Sequence, residues 1–118
     1  MKNERILIAD DNADIKKILS DVVEAFGDED GHKVVGEASS KEEVEVILKG
    51  GLRPSIALID GKFPNYGDGE QAAAIIRKLS PETFIISLSS DLQKWGDENW
   101  VKNYGAKELV EALTKLQH

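Results

Sequence analysis

Two periodicities alternate along the chain. Three short runs, Ile6-Leu7-Ile8-Ala9, Ile56-Ala57-Leu58-Ile59 and Phe84-Ile85-Ile86-Ser87-Leu88, are almost wholly apolar and end in polar or turn residues. Runs of that length, with no polar side to them, fit strands buried on both faces of a sheet. Between them the apolar residues change to three- and four-residue spacing, which is one face of a helix. Ile15, Ile18, Leu19, Val22, Val23 and Phe26 form the first such stripe; Asp11 or Asn12 can cap its start and Gly27 its end.

The remaining elements follow in turn. Gly27 to Gly31 is an acidic surface turn, and the less apolar Lys33 to Ala38 fits an edge strand. Ser40 and Glu43 have capping-box spacing and open a helix carrying Val44, Ile47 and Leu48, stopped by Gly50-Gly51. Asp68 is placed to cap a helix from about Gly69 to Leu79, ended by Ser80-Pro81. Leu92 to Asn99 is polar, contains Gly96 and has room for one irregular helical turn at most. Trp100-Val101 is a short last strand ending at Lys102, and Ala106 to Gln117 a final helix with Leu109, Val110, Leu113 and Leu116 inward.

Alternating strands and helices imply an α/β fold, a doubly wound five-stranded parallel sheet with right-handed crossovers. The expected strand order is 2-1-3-4-5, flavodoxin-like, with the fourth helix reduced or absent. That last expectation comes from length. A parallel crossover normally takes about a dozen residues or more, and only Ser90 to Val101 separate Ser89 from Lys102.

Composition narrows the function. A chain of 118 residues and 13.0 kDa is expected to form one domain, 1–118. With no cysteine, thiolate metal sites, disulfides and cysteine nucleophiles are excluded, which suits the cytoplasm. No apolar run approaches the roughly 20 residues that span a bilayer. Net charge is −7, from 22 acidic and 15 basic residues, without a basic stripe. Direct nucleic-acid binding is therefore disfavoured.

Candidate chemistry lies at the strand ends. Ligands of open parallel sheets bind beyond the carboxyl ends of the strands. Asp10 and Asp11 end the first apolar run and Asp60 ends the central one. Carboxylates gathered there repel one another, and a divalent cation removes the conflict. Mg²⁺ suits such a site, because it takes oxygen ligands and keeps several waters. A carboxylate beside Mg²⁺ can attack phosphorus and become an acyl phosphate. Ser89, ending the fourth strand, can donate a hydrogen bond to a phosphoryl oxygen, and Lys102 can supply positive charge to it. Each residue has a plainer reading: Asp10-Asp11 as helix caps, Asp60 and Ser89 as turn residues, Lys102 as a solvated lysine.

Taken together, Asp10-Asp11 after ILIA, Asp60 after IALI, Ser89 after IISL and Lys102 after WV resemble the five signature positions of response-regulator receiver domains. The resemblance covers nearly the whole chain. It implies that Asp60 accepts a phosphoryl group from a sensor histidine kinase or a phosphotransfer protein. It also implies that Asp11 and Asp60 bind Mg²⁺ directly, Asp10 through a water, and the Lys62 backbone carbonyl completes the protein ligands. Ser89 and Lys102 would sense the phosphoryl group. Lys62 and Asp91, each two positions past Asp60 and Ser89, would govern its lifetime. On this reading the chain is no enzyme beyond its own phosphorylation and dephosphorylation. As a single-domain receiver it would signal through contact with a downstream protein target.

Several features depart from the family pattern. Pro64 and Gly69 fill usual positions of the loop after the acceptor, but Asn65 to Asp68 lengthens that loop by one residue. The aromatic usually found before the lysine is replaced by Asn99, and Asn103 stands where a proline is usual. Two other classes use similar residues. A Mg²⁺-dependent phosphohydrolase wants a second acid two residues after the nucleophile, where this chain has Lys62. A receiver-fold binding module unresponsive to phosphate would keep the fold alone. His32 and His118 are expected in solvent. Trp95, Trp100 and Tyr104 are expected to cover core left open by the short crossover, or to form a partner patch.

Overall fold

The computed structural model describes residues 4–27, 31–60, 65, 67–89 and 94–101. Among these, five strands and three helices follow in the order β1 (Arg5–Ala9), α1 (Ala13–Gly27), β2 (Lys33–Ala38), α2 (Lys41–Lys49), β3 (Ile56–Asp60), α3 (Asp68–Leu79), β4 (Phe84–Ser89) and β5 (Glu98–Val101). The strands form one sheet in the order β2-β1-β3-β4-β5, with every pairing parallel. The doubly wound sheet inferred from sequence is thus the observed one. The expected helix over Ala106 to Gln117 lies outside the described residues.

Burial explains the apolar runs Ile6 to Ala9 of β1 and Ile56 to Ile59 of β3. Ile6 to Ile8 and Ile56 to Ile59 have no exposed surface. Their side chains alternate between two clusters. Leu7, Ala9, Ala57, Ile59 and Ile85 pack with Val44 and Leu48 of α2 and with Ala72, Ala73 and Ile76 of α3. Ile6, Ile8, Ile56, Leu58 and Ile86 pack on the other face, against Val23 of α1. Each large side chain buried this way stabilises the fold by about 1.5–3 kcal/mol.

Helix starts follow local chemistry, with two refinements. Asn12, rather than Asp11, caps α1: its Oδ1 accepts the Asp14 N–H at 2.9 Å. Ser40 caps α2 as expected, its Oγ accepting the Glu43 N–H at 3.2 Å. The Glu43 carboxylate reaches back one residue further than a standard capping box, to the Ser39 N–H. Replacing Ser40 with alanine should lower stability by about 1 kcal/mol in urea unfolding. A change below a few tenths would mean that water replaces the cap without loss.

Three local expectations are corrected. Asp68 does not cap α3 from outside; the helix begins at Asp68, after Gly67, whose φ of 94° lies in the left-handed region. Glycine enters that region without the steric penalty a side chain brings. The Asp68 carboxylate instead accepts from Lys41 Nζ at 3.2 Å and the Asn65 N–H at 3.3 Å. His32 is not solvated: it is 2% exposed, and its Nδ1 accepts the Glu4 N–H at 3.1 Å. That bond ties the entry of β2 to the residue preceding β1.

The third correction concerns the fourth crossover. β5 starts at Glu98, two residues before the expected Trp100, and residues 94–97 are bends rather than a helical turn. Eight residues, 90–97, therefore return the chain from β4 to β5. They suffice because β5 is short and high in the sheet. Glu98 pairs with Ile86 and Val101 with Ser89, so the chain descends only three residue steps. That is about 10 Å at the rise of a strand, well within the reach of eight residues. Trp95 packs against the cluster beneath α2 and α3. The Trp100 side chain and Tyr104 fall outside what the structure describes.

Candidate functional site

At the carboxyl edge of the sheet, β1 and β3 are neighbours with Ala9 opposite Ile59. The residues that follow, Asp10 and Asp60, therefore leave the sheet side by side. Asp10 is held closely: its N–H donates to the Ala38 carbonyl at 3.0 Å, and its Oδ1 accepts the Asn12 N–H at 2.9 Å. Those bonds leave Asp10 3% exposed at the foot of α1. Asp60 closes β3 opposite Leu88, half-buried, and Asp11 stands exposed at the rim.

One carboxylate oxygen from each of Asp10, Asp11 and Asp60 lies within 4.8 Å of the other two. Two unit charges at that separation repel by about 3.5 kcal/mol at an effective dielectric of 20, and by less toward the exposed Asp11. The donor set is all oxygen and all anionic. That fits a hard divalent cation such as Mg²⁺ far better than a softer transition metal.

The other expected site residues are placed unequally. Ser89 ends β4 opposite Val101, at the same edge of the sheet. Nothing is described of its side chain. Lys62, Asp91 and Lys102 lie outside the described residues, although Lys102 directly follows Val101 in sequence.

Polar contacts brace this edge from below. Lys16 of α1 donates to Ser39 Oγ in the β2–α2 turn. Lys41, opening α2, pairs with the buried Asp68 and also donates to Gln71 Oε1 of α3. The loop after Asp60 is thus fastened at its far end to α2. Sequence reasoning missed this pair, because Lys41 and Asp68 are 27 residues apart and each looks like an ordinary helix-start residue.

No family model matches the chain. The CheY chemotaxis protein of Thermotoga maritima is 32% identical over 123 aligned residues, covering 96% of this chain and 97% of that protein. The chain is a response-regulator receiver domain. Its relatives differ in length. The receiver is 34% identical to a protein-glutamate methylesterase/protein-glutamine glutaminase of Methanosarcina acetivorans over 91% of its own length, but spans only 29% of that protein. It also matches a ribonuclease HII of Pelagibacter ubique, 34% identical over 70% of the receiver and 59% of the ribonuclease. Solved structures agree on the fold. The response regulator domain of Thermotoga maritima CheB superposes with a TM-score of 0.72 at 24% identity, covering 97% of the receiver and 92% of that chain. A Burkholderia pseudomallei response regulator, solved with a phosphorylated aspartic acid, calcium ion and citrate, gives 0.75 at 19% identity, covering 95% and 67%.

Proposed function

We propose that the receiver is a phosphoacceptor in a two-component phosphorelay, with Asp60 as the acceptor. One observation carries this reading: Asp10, Asp11 and Asp60 leave two adjacent strands and gather their oxygens within 4.8 Å. The phosphorylated aspartate and calcium named for the Burkholderia pseudomallei neighbour support it.

A carboxylate oxygen of Asp60 attacks the phosphorus of a phosphohistidine on a sensor histidine kinase or phosphotransfer protein. The P–N bond breaks, its electron pair stays with the imidazole, and an acyl phosphate forms on Asp60. Asp11, Asp60 and the Lys62 carbonyl would hold Mg²⁺, with Asp10 acting through a water. Bound there, the ion would supply positive charge that offsets repulsion between carboxylate and phosphoryl oxygens. Asp10 is well suited to an indirect role, being already committed to the Asn12 N–H. Ser89 donates to one phosphoryl oxygen and Lys102 neutralises another, while Lys62 and Asp91 govern access of the hydrolytic water.

Turnover is not the purpose of such a site: one phosphoryl group is taken per chain, in the cytoplasm, and read by a downstream protein. Contact with nucleic acid or membrane is not part of this function. Among the described residues no helix is long and apolar enough to cross a membrane.

Titration with beryllofluoride, an acyl-phosphate mimic, tests the reading through tryptophan fluorescence. Saturable binding that requires Mg²⁺ is expected. Absence of binding with Mg²⁺ present would point to a module unresponsive to phosphate. Steady turnover of a small phosphate ester would point to a hydrolase.

A further inference from the structure

We propose that the turn over residues 94–97 takes over a task usually left to a helix: it sets the register of β5, with Asn99 as the positioning residue. Through that register it fixes where the chain leaves the sheet toward Lys102. The inference rests on the role given above to Lys102.

Asn99 stands opposite Ser87 on β4, on the sheet face that carries Ile85 and faces α3. Its amide makes three bonds. Oδ1 accepts from Ser87 Oγ at 2.7 Å and from the Gly96 N–H at 3.0 Å, and Nδ2 donates to the Gly96 carbonyl at 3.2 Å. One side chain thus joins strand β4, strand β5 and the turn that precedes β5.

Neighbouring groups set the same register. The Asp97 N–H donates to the Ile85 carbonyl at 2.7 Å, and the Asp97 carboxylate accepts the Ile85 N–H at 2.8 Å. Arg77 of α3 donates to the Trp95 carbonyl at 2.9 Å and lies 3.6 Å from Asp97. Gly96 admits no side chain: a Cβ there would sit 2.7 Å from the Glu98 carbonyl oxygen and 3.0 Å from the Ser87 nitrogen.

Register matters because side chains alternate faces along a strand. A slip of one residue would turn Asn99 away from Ser87 and send every later residue to the opposite face. Four residues of β5 give little ladder to resist such a slip. The side chain of Asn99 adds specific bonds that exist in one register only. An aromatic at this position could pack there but could not make them.

Beryllofluoride and Mg²⁺ affinities of the full chain test this, measured for wild type, Asn99→Ala, Asn99→Asp, Lys102→Met and the double variant Asn99→Ala/Lys102→Met. Asn99→Ala should bind beryllofluoride roughly ten- to a hundredfold more weakly, the scale of one lost charge-assisted bond. Mg²⁺ affinity should stay within about twofold, since the three aspartates are untouched. Asn99→Asp keeps the two accepting bonds and should lie between. Loss should not accumulate: the double variant should bind no more weakly than Lys102→Met, because Asn99 acts through that lysine. Ser87→Ala, which removes one of the three bonds, stands in should Asn99→Ala fail to fold, and should show a smaller loss of the same kind.

Equal beryllofluoride affinity in wild type and the Asn99 variants, whatever their melting temperatures, overturns the inference alone. So does a further loss in the double variant. Full binding in Lys102→Met removes the role given to that lysine and the inference with it, while absence of binding in the wild type overturns the proposed function as well.

Discussion

Asp60→Ala should lose phosphoryl uptake altogether. Incubated with Mg²⁺ and a radiolabelled phosphohistidine donor, the variant should carry label only at the background of the assay, against up to one group per chain for the wild type. Among the described residues, neither other carboxylate at the carboxyl edge can substitute well. Asp10 is 3% exposed and committed to the Asn12 N–H, and Asp11 stands at the rim. Asp60→Asn sharpens the result, since it keeps the shape and removes only the charge that serves as nucleophile and as one metal ligand. It should fail as completely, while still unfolding in a single cooperative transition. Asp11→Asn, by contrast, should keep the nucleophile and lose Mg²⁺ affinity, so excess metal should recover part of its uptake. Label surviving on Asp60→Ala at the wild-type level would place the acceptor elsewhere and remove the assignment.

Stability should depend most on the centre of the sheet. Leu58 has no exposed surface and lies midway along β3, between Ile8 on β1 and Ile86 on β4. Those three residues share the cluster that meets α1. Leu58→Ala removes three buried carbons and leaves a cavity between neighbours that cannot close on it, at a cost of about 2–5 kcal/mol. A domain of this size is stable by about 5–15 kcal/mol in total. The variant should therefore melt about 10–20 °C lower. Val46→Ala is the control: that side chain is 71% exposed on α2, and its loss should move stability by less than about 0.5 kcal/mol. Comparable losses in the two variants would contradict the layered core. Because Leu58 shares its strand with Asp60, the same variant should also weaken Mg²⁺ binding in proportion to the fraction unfolded, and by no more.

Most of the architecture was legible in the chain itself. Ile6 to Ala9 and Ile56 to Ile59 are apolar at every position because helices cover both faces of a parallel sheet. That requirement writes a continuous run rather than an alternating one. The stripes of α2 and α3 follow equally from burying one helical face, as Val44, Leu48, Ala72 and Ile76 show. The gathering of Asp10, Asp11 and Asp60 followed once β1 and β3 were taken as neighbours, since a parallel pair brings both carboxyl ends to one edge.

Where local pattern failed, longer-range partners had won. Asp68 has the look of a cap, but Lys41 offers it a closer charge across the α2–α3 contact. His32 looks like a surface residue in a polar stretch, yet a backbone N–H from Glu4 gives its buried ring a partner. Glu98 and Asn99 are poor strand residues by composition. They extend β5 because Ser87 and Gly96 hold the Asn99 amide, and because Asp97 bonds to Ile85.

The sequence by itself determined which segments are strands, which faces of the helices are buried and which carboxylates share an edge. The first two follow from periodicity, which is local, and the third needs only the parallel pairing of β1 with β3 in addition. Only the tertiary structure decided how eight residues complete the fourth crossover. That outcome depends on how high β5 sits against β4 and on side-chain bonds between residues far apart in the chain, which no repeating pattern records.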